Sequence, residues 1–197
     1  MNVGSAVKPL VIDCLQYSKP TRERFLEWRA GNVGCVHVTL AVWETARETL
    51  SVLGTWNDLL AQNSDLIALA DSVESIHAIR ASGRTAVLFG FQNTSPLEDD
   101  VRLVQVFHDL GVRIMQLTYN TQNSIAAGCL EDDDNGLSKY VGRSFVKEMN
   151  EVGVLIDLSH CSERTCLDTI DFSSKPVALT HANPLEFVGE DIELKRR

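Results

Sequence analysis

The sequence predicts an α/β protein built around a parallel sheet. Short apolar runs alternate with helical segments along the 197 residues, which is typical of a (β/α)8 barrel or of an open, doubly wound sheet. The first strand, VIDCLQYS, contains no glycine-rich phosphate loop, so a nucleotide-binding open sheet is disfavoured. Neither an internal repeat nor a low-complexity linker divides the chain, and we expect one domain over residues 1–197.

Six strands are predicted from apolar runs bounded by polar residues or glycine. They cover residues 9–13, 35–40, 85–89, 113–118, 154–159 and 177–180. Helices are predicted where apolar residues recur at a spacing of three to four, over residues 20–30, 42–69, 72–81, 98–110, 138–152 and 163–173. Asp71 or Ser72 is expected to cap the third of these helices. The polar stretch 119–136 is predicted to be a long loop over a strand end, and loops of this length are often functional.

The composition excludes several classes of protein. A net charge of −9 disfavours a nucleic-acid binder, because phosphate contacts need clustered basic residues. The five cysteines, which form no C-x-x-C pair, indicate a reducing compartment. Neither a membrane span nor a secretory signal is visible in the sequence, and we expect a cytoplasmic protein.

Two histidines close neighbouring predicted strands. His160 follows the apolar run 154–159, and His181 follows the run 177–180. A helical crossover joins parallel strands and leaves their carboxyl ends on one side of the sheet, where ligands and metals bind. The sequence therefore predicts a pair of metal ligands or a catalytic pair. The alternative is two unrelated histidines that each bond a nearby carbonyl group.

Three further segments carry a family resemblance. They are GVRIMQLTYN (111–120), GLSKYVGRSFVKEMNEVGVLIDLSH (136–160) and THANP (180–184). In their order and spacing, the chain resembles the renal (membrane) dipeptidase family of metallopeptidases, which are (β/α)8 barrels. The resemblance implies a two-zinc centre that hydrolyses dipeptides. His160 and His181 match the histidines that bind one of its ions.

The other family ligands are replaced in this chain. The first strand's His-x-Asp pair aligns with Leu15 and Tyr17, the bridging glutamate aligns with Gln92, and a substrate-contacting histidine aligns with Tyr119. Leucine cannot bind a metal, tyrosine does so only at a cost, and a neutral amide cannot bridge two cations. We therefore expect at most one ion, zinc or another divalent metal.

The predicted site residues are those that this alignment gives, together with the asparagines beside Tyr119 and His181. The metal ligands are His160, His181 and Gln92, and the substrate-binding residues are Tyr119, Asn120 and Asn183. The expected partners are a dipeptide-like small molecule and, in a homodimer, a second copy of the chain.

Two functions are expected from these residues. The first is a metal-dependent dipeptidase-like amide hydrolase. The alternative is a catalytically altered or inactive relative that binds a small ligand or a partner protein, because three ligand positions are lost together. The chain ends at Arg197, soon after the sixth predicted strand, so only about six strand-helix units of the barrel are expected.

Several other polar residues are assigned structural roles. Asp157, on the strand before His160, is predicted to act structurally or behind the ligands. His37, His77 and His108 are expected to be satisfied locally, and Cys161 is expected to be a buried, inert thiol.

Overall fold

The computed structural model describes residues 9–183 and contains, within that range, six strands and six α-helices. The strands are β1 (Val11–Gln16), β2 (Val33–Ala41), β3 (Ile67–Leu69), β4 (Thr85–Phe91), β5 (Val112–Gln116) and β6 (Leu155–Asp157). The helices are α1 (Arg22–Ala30), α2 (Ala46–Gln62), α3 (Val73–Ala81), α4 (Leu103–Asp109), α5 (Val141–Val152) and α6 (Glu163–Phe172), and a 3₁₀ turn covers Ser95–Leu97.

All strands are parallel and form one curled sheet. Their order is β1-β2-β4-β5-β6, and β3 pairs with the first residues of β4. Each crossover between neighbouring strands carries a helix or a long loop, as parallel pairing requires. The sheet has the shape of an open half-barrel, which confirms the predicted barrel-type α/β class.

The outer face of the sheet holds the main hydrophobic core. Alternate residues of the strands, such as Val36, Val38 and Phe89, are fully or almost fully buried against the helices. The helices contribute large side chains to this core: Phe25, Trp28, Leu53, Trp56, Phe107, Phe145, Val146 and Met149. Burying each such side chain stabilises the fold by roughly 1.5–3 kcal/mol.

The inner face is polar, because side chains alternate along a strand. The residues between the core positions on β2 and β4 include His37 and Gly90, and β5 and β6 contribute Gln116 and Asp157. His37, Gln116 and Asp157 are each 0% exposed. A second, smaller cluster packs Ile76 and Ile79 of α3 against Cys35 and Ala86, at the amino-terminal end of this face.

Three predicted elements are wrong. The helix predicted over 42–69 ends at Gln62, where the Asn63 side chain caps it by donating to the Leu59 carbonyl oxygen. The residues after it form β3 instead, because a short apolar run fits helix and strand equally by periodicity. The helix predicted from residue 98 begins only at Leu103, after two residues in the left-handed conformation.

The third wrong element is the strand predicted over 177–180. In this segment a single residue, Ala178, pairs with β6, through an isolated parallel bridge to Asp157. The next backbone group in the register, the Thr180 N–H, donates to the Asp157 side chain rather than to a neighbouring strand.

Other predictions are confirmed. Ser72 caps α3 through a reciprocal bond with Ser75. The stretch 119–136 is a loop with isolated bridges at Ala126 and Gly128. Burial raises the pKa of the Cys161 thiol well above its ordinary value. The final stretch, residues 185–197, has the sequence of the start of a further loop and lies outside the described residues. Within residues 9–183, no helix combines the length and apolar character needed to cross a membrane.

Gly90 is required by the position of the His37 ring. A Cβ atom on Gly90 would lie 2.0 Å from His37 Nε2 and 2.8 Å from the Ile114 carbonyl oxygen. We expect Gly90→Ala to lower the free energy of unfolding by about 1–3 kcal/mol, because the buried ring has little room to move. Urea denaturation measures the change.

Gly54→Ala is the matched control for this substitution. A Cβ on Gly54, inside α2, would meet nothing within 4 Å. Alanine there is expected to stabilise the protein by up to about 1 kcal/mol. Equal effects of the two substitutions would contradict the assigned packing of His37 on Gly90.

Candidate metal site at His160 and His181

The two predicted histidines lie together at the carboxyl end of the sheet. His160 follows β6 in a turn, and His181 follows the bridge at Ala178. Their ring centroids are 4.9 Å apart, with an angle of 57° between the ring planes. The structure therefore brings together the pair that the sequence placed at neighbouring strand ends.

His160 is held by two residues of the 119–136 loop. Its Nδ1 atom lies 2.6 Å from Asn120 Oδ1, and its ring stacks on Tyr119 with centroids 4.3 Å apart. Because an amide oxygen only accepts hydrogen bonds, His160 Nδ1 carries the hydrogen and Nε2 keeps its lone pair. Burial, reinforced by His181, lowers the pKa of His160 to about 4. His160 is thus neutral at pH 7, as metal ligation requires.

His181 also carries its hydrogen on Nδ1, because a hydroxyl group accepts a hydrogen bond from that nitrogen. The Thr180 hydroxyl donates to Asp157 Oδ2 at 2.6 Å and lies 2.8 Å from His181 Nδ1. Since that hydroxyl has one hydrogen, it must accept from His181 Nδ1–H. The Nε2 atom of His181 is buried and has no hydrogen-bond partner within residues 9–183. Burial lowers the pKa of His181, although Asp157 opposes the shift.

Asp157 fixes the residues around His181 through hydrogen bonds. Its side chain is fully buried and accepts four hydrogen bonds, two from Ser159 and two from Thr180. Ser159 Oγ in turn accepts the backbone N–H of His181 at 3.0 Å. The carboxylate acts through these two residues, in agreement with the prediction that Asp157 lies behind the ligands.

Backbone strain is concentrated at this end of the molecule. Five non-glycine residues within 9–183 have positive φ angles, and four of them are Glu98, Asp99, Asn120 and His160. Asn120 and His160, with φ angles of 65° and 60°, are the pair joined by the hydrogen bond described above. Such conformations are costly for side chains other than glycine and cluster at functional sites.

The other predicted site residues differ in position. Tyr119 and Asn120 both contact His160. Gln92 is 4% exposed, and its Nε2 donates to Thr39 Oγ1 at 2.9 Å, so its oxygen is the atom available to a ligand. No hydrogen bond or ring contact within the described residues joins Gln92 or Asn183 to either histidine. Asn183 is exposed.

The first-strand positions provide no metal ligands. Asp13 accepts from the Leu15 backbone N–H and from the Gln16 side chain, so it closes the end of its own strand. The Tyr17 side chain is 73% exposed. Within residues 9–183, no three His, Cys, Asp or Glu side chains converge closely enough to hold an ion.

These observations test the family's two-metal centre. The two neutral imidazoles of His160 and His181, each with its Nε2 lone pair free, suit one divalent ion. The second ion does not fit, because Leu15, Tyr17 and Gln92 supply neither the imidazole nor the carboxylates that it needs.

Sequence reasoning missed parts of the site. His37 donates from Nδ1 to the Cys14 carbonyl oxygen at 2.7 Å, as expected for a locally satisfied histidine. Its Nε2, however, has no partner within the described residues, and the same holds for Gln116 Oε1. Trp43, which meets Tyr119 edge-on with centroids 5.6 Å apart, also escaped notice. Its position two residues after the end of β2 was the available signal.

Comparison with known proteins decides the family. A model of the membrane dipeptidase family, peptidase family M19, matches residues 13–193. The chain belongs to this family. The resemblance inferred from the three sequence segments is therefore confirmed.

Curated relatives in the family are dipeptidases from fungi. The dipeptidase tcpJ of Claviceps purpurea is 30% identical over 144 residues, which are 72% of this chain and 34% of the relative. An uncharacterized dipeptidase of Schizosaccharomyces pombe is 31% identical over 142 residues, or 70% of this chain and 34% of the relative. The matched part of the M19 chain thus spans about a third of the length of these relatives.

Solved structures show the same fold. An amidohydrolase from Pseudomonas aeruginosa superimposes with a TM-score of 0.90 at 39% identity, over 95% of this chain and 56% of the other. A metallo peptidase from Rhodobacter sphaeroides, liganded with a phosphinate mimic of the dipeptide L-Ala-D-Ala, has a TM-score of 0.76. That match covers 90% of this M19 chain and 66% of the other at 14% identity, and shows the fold alone.

Replacing Asp157 should reverse the hydrogen bonds that set the His181 tautomer. In Asp157→Asn, the new amide N–H faces the Thr180 hydroxyl, which then donates to His181 Nδ1 and leaves the hydrogen on Nε2. Nitrogen NMR of the imidazole rings is expected to show this change of tautomer. Unfolding experiments should show a loss of about 1–3 kcal/mol.

Asp171→Asn serves as the control, since Asp171 is an exposed carboxylate on α6. It should change neither stability nor the His181 tautomer. An unaltered His181 tautomer in Asp157→Asn would show that the Thr180 relay has been assigned wrongly.

Proposed function

We propose that this M19 chain is a metal-dependent amide hydrolase that acts on dipeptide-like substrates. One divalent ion, zinc or a similar metal, would be held by His160 and His181. The observation that carries the proposal is that both imidazoles hold their hydrogen on Nδ1. Each Nδ1 is fixed by an acceptor, Asn120 Oδ1 or Thr180 Oγ1, so both Nε2 lone pairs are free for a metal.

Family membership supports the reaction class. A bound divalent ion supplies Lewis-acid chemistry, since it lowers the pKa of water and polarises an amide carbonyl. The chain's own residues have other tasks. Asn120 and Thr180 orient the two rings, and Asp157 fixes Thr180.

Tyr119 would form the wall of the site next to the ligands. Its ring covers one face of His160, which limits the access of water to that side. Tyr119, Asn120 and Asn183 are the residues proposed to contact the substrate, and the Gln92 oxygen is proposed as a further ligand to the ion.

A second candidate function is supported by the altered first-strand positions. Leu15, Tyr17 and Gln92 remove one half of the family centre together, while amide and phenol groups surround the remaining half. Groups of this kind suit a polar, uncharged small molecule bound by hydrogen bonds. In this case the protein would bind its ligand without hydrolysing it. The cytoplasmic location and the homodimer stay predictions.

Metal titration tests the histidine pair directly. We expect the purified chain to bind about one zinc ion, measured by calorimetry and elemental analysis. Loss of a residue that only supports a ligand costs about 10–100-fold in affinity, so His160→Ala and His181→Ala should each cost more than that.

His77→Ala is the control for the metal titration. His77 is exposed on α3, and its removal should leave the affinity for zinc unchanged. Full metal content in the double variant His160→Ala/His181→Ala would refute the proposed site.

Restoring the family residues separates the two candidate functions. The triple variant Leu15→His/Tyr17→Asp/Gln92→Glu adds an imidazole and two carboxylates, and is expected to raise the metal content from about one ion to about two. A dipeptide panel is then assayed with both proteins. Turnover by the unmodified chain supports the hydrolase, and turnover only by the triple variant supports the altered relative. Two ions already present in the unmodified chain would contradict both accounts.

A further inference from the structure

A cavity of about 360 Å³ opens beside the histidine pair. Its walls come from the loop after β2, from the segment between β4 and α4, and from the 119–136 loop. Trp43 lines it and is joined to the site by ring contacts, because Trp43 meets Tyr119 and Tyr119 stacks on His160. The cavity is thus adjacent to the proposed metal site but contains neither of its histidines.

Trp43 is exposed, unlike the other tryptophans. Its side chain is 60% exposed, whereas Trp28 and Trp56 are 5% and 7% exposed. The indole makes a T-shaped contact with Tyr119, which holds the ring in place at the wall of the cavity. A fixed, exposed indole face is a good surface for an organic cation.

Asn93 supplies a hydrogen-bond donor to the wall of the same cavity. Its side chain is only 4% exposed. Its Oδ1 accepts from the Thr94 backbone N–H at 2.9 Å and from Asn123 Nδ2 at 3.1 Å, which fixes the orientation of the amide. The Nδ2 group then has no hydrogen-bond partner within residues 9–183. An unpaired donor at the wall of the cavity can bond an acceptor there, such as a carbonyl oxygen of a ligand.

Two carboxylates give the cavity its charge. Glu98 Oε1 accepts from the Ala46 backbone N–H at 2.9 Å, and Asp99 Oδ1 accepts from the Ser124 hydroxyl. These bonds fix one oxygen of each carboxylate, and both residues are exposed. The described residues that line the cavity include no lysine or arginine to neutralise them.

We propose that this cavity binds a basic residue of a peptide. The guanidinium or ammonium group would lie over Trp43 and against Glu98 and Asp99, and the carbonyl oxygen of the same residue would accept from Asn93 Nδ2. Binding at the cavity needs neither the metal nor turnover, so the inference extends beyond the proposed hydrolase and does not depend on it.

The experiment compares two probes that differ mainly in charge. N-acetyl-L-argininamide and its neutral analogue N-acetyl-L-citrullinamide are titrated into the full chain after treatment with a chelator, with calorimetry and tryptophan fluorescence as readouts. Arginine is expected to bind with a dissociation constant on the order of 1 mM and at least about fivefold more tightly than citrulline. The preference should weaken as salt is added.

Charge-removing variants locate the probe. Glu98→Gln and Asp99→Asn keep the accepting oxygens that bond Ala46 and Ser124, so the local fold is retained, and each should weaken arginine binding about threefold. Trp43→Leu should weaken it by a similar factor and abolish the fluorescence change. The matched controls are Asp58→Asn and Tyr140→Leu, which alter an exposed carboxylate and an exposed aromatic ring away from the cavity.

Equal binding of the two probes would overturn the inference. So would unchanged arginine affinity in both carboxylate variants, or no binding at roughly 10 mM probe. The metal titrations at His160 and His181 are separate measurements, and their outcome is unaffected by any of these results.

Discussion

The geometry of the site depends on the buried carboxylate of Asp157. A fully buried carboxylate is tolerated only when its oxygens are satisfied, and here Ser159 and Thr180 supply four hydrogen bonds. The same bonds determine which way the Thr180 hydroxyl points, and that direction determines which nitrogen of His181 carries a hydrogen. The need to satisfy the buried Asp157 carboxylate therefore determines that His181 Nε2, the atom that would bind a metal, keeps its lone pair.

The outer face of the sheet provides most of the hydrophobic packing, and the inner face carries buried polar residues. The outer face carries the apolar residues that pack on the helices, including Val36, Val38 and Phe89. The inner face carries histidine, glutamine and aspartate that are just as deeply buried. Polar groups on the inner face reduce the hydrophobic stabilisation that this face provides. Nearly all of their hydrogen bonds therefore have to be formed within the protein. His37 Nε2 and His181 Nε2 are two of the exceptions within the described residues, since both are buried without a hydrogen-bond partner.

The sequence was sufficient for the fold class and for the pairing of His160 with His181, because both follow from strand periodicity and from parallel crossovers. The family followed from three segments with a specific order. Periodicity could not separate β3 from the end of α2, since three apolar residues fit either structure. It also could not show the left-handed residues Glu98 and Asp99, which interrupt an otherwise helical pattern. The tautomers of the histidines, the buried Asn93 amide and the exposed Trp43 depend on contacts between distant segments, and no local pattern encodes them.

The ring contacts at the site have an order that matters for how the protein is made. Trp43 contacts Tyr119, Tyr119 contacts His160, and His160 contacts His181. Each ring thus packs against one that leaves the ribosome earlier. During synthesis, the residues that form the wall of the site therefore become available in this order, from Trp43 to His181. His181 arrives last, and only then does Asp157 gain the Thr180 bonds that complete its shell. A chain cut short before Thr180 would leave the buried Asp157 carboxylate with only the two bonds from Ser159, and a buried carboxylate bonded so incompletely destabilises the fold.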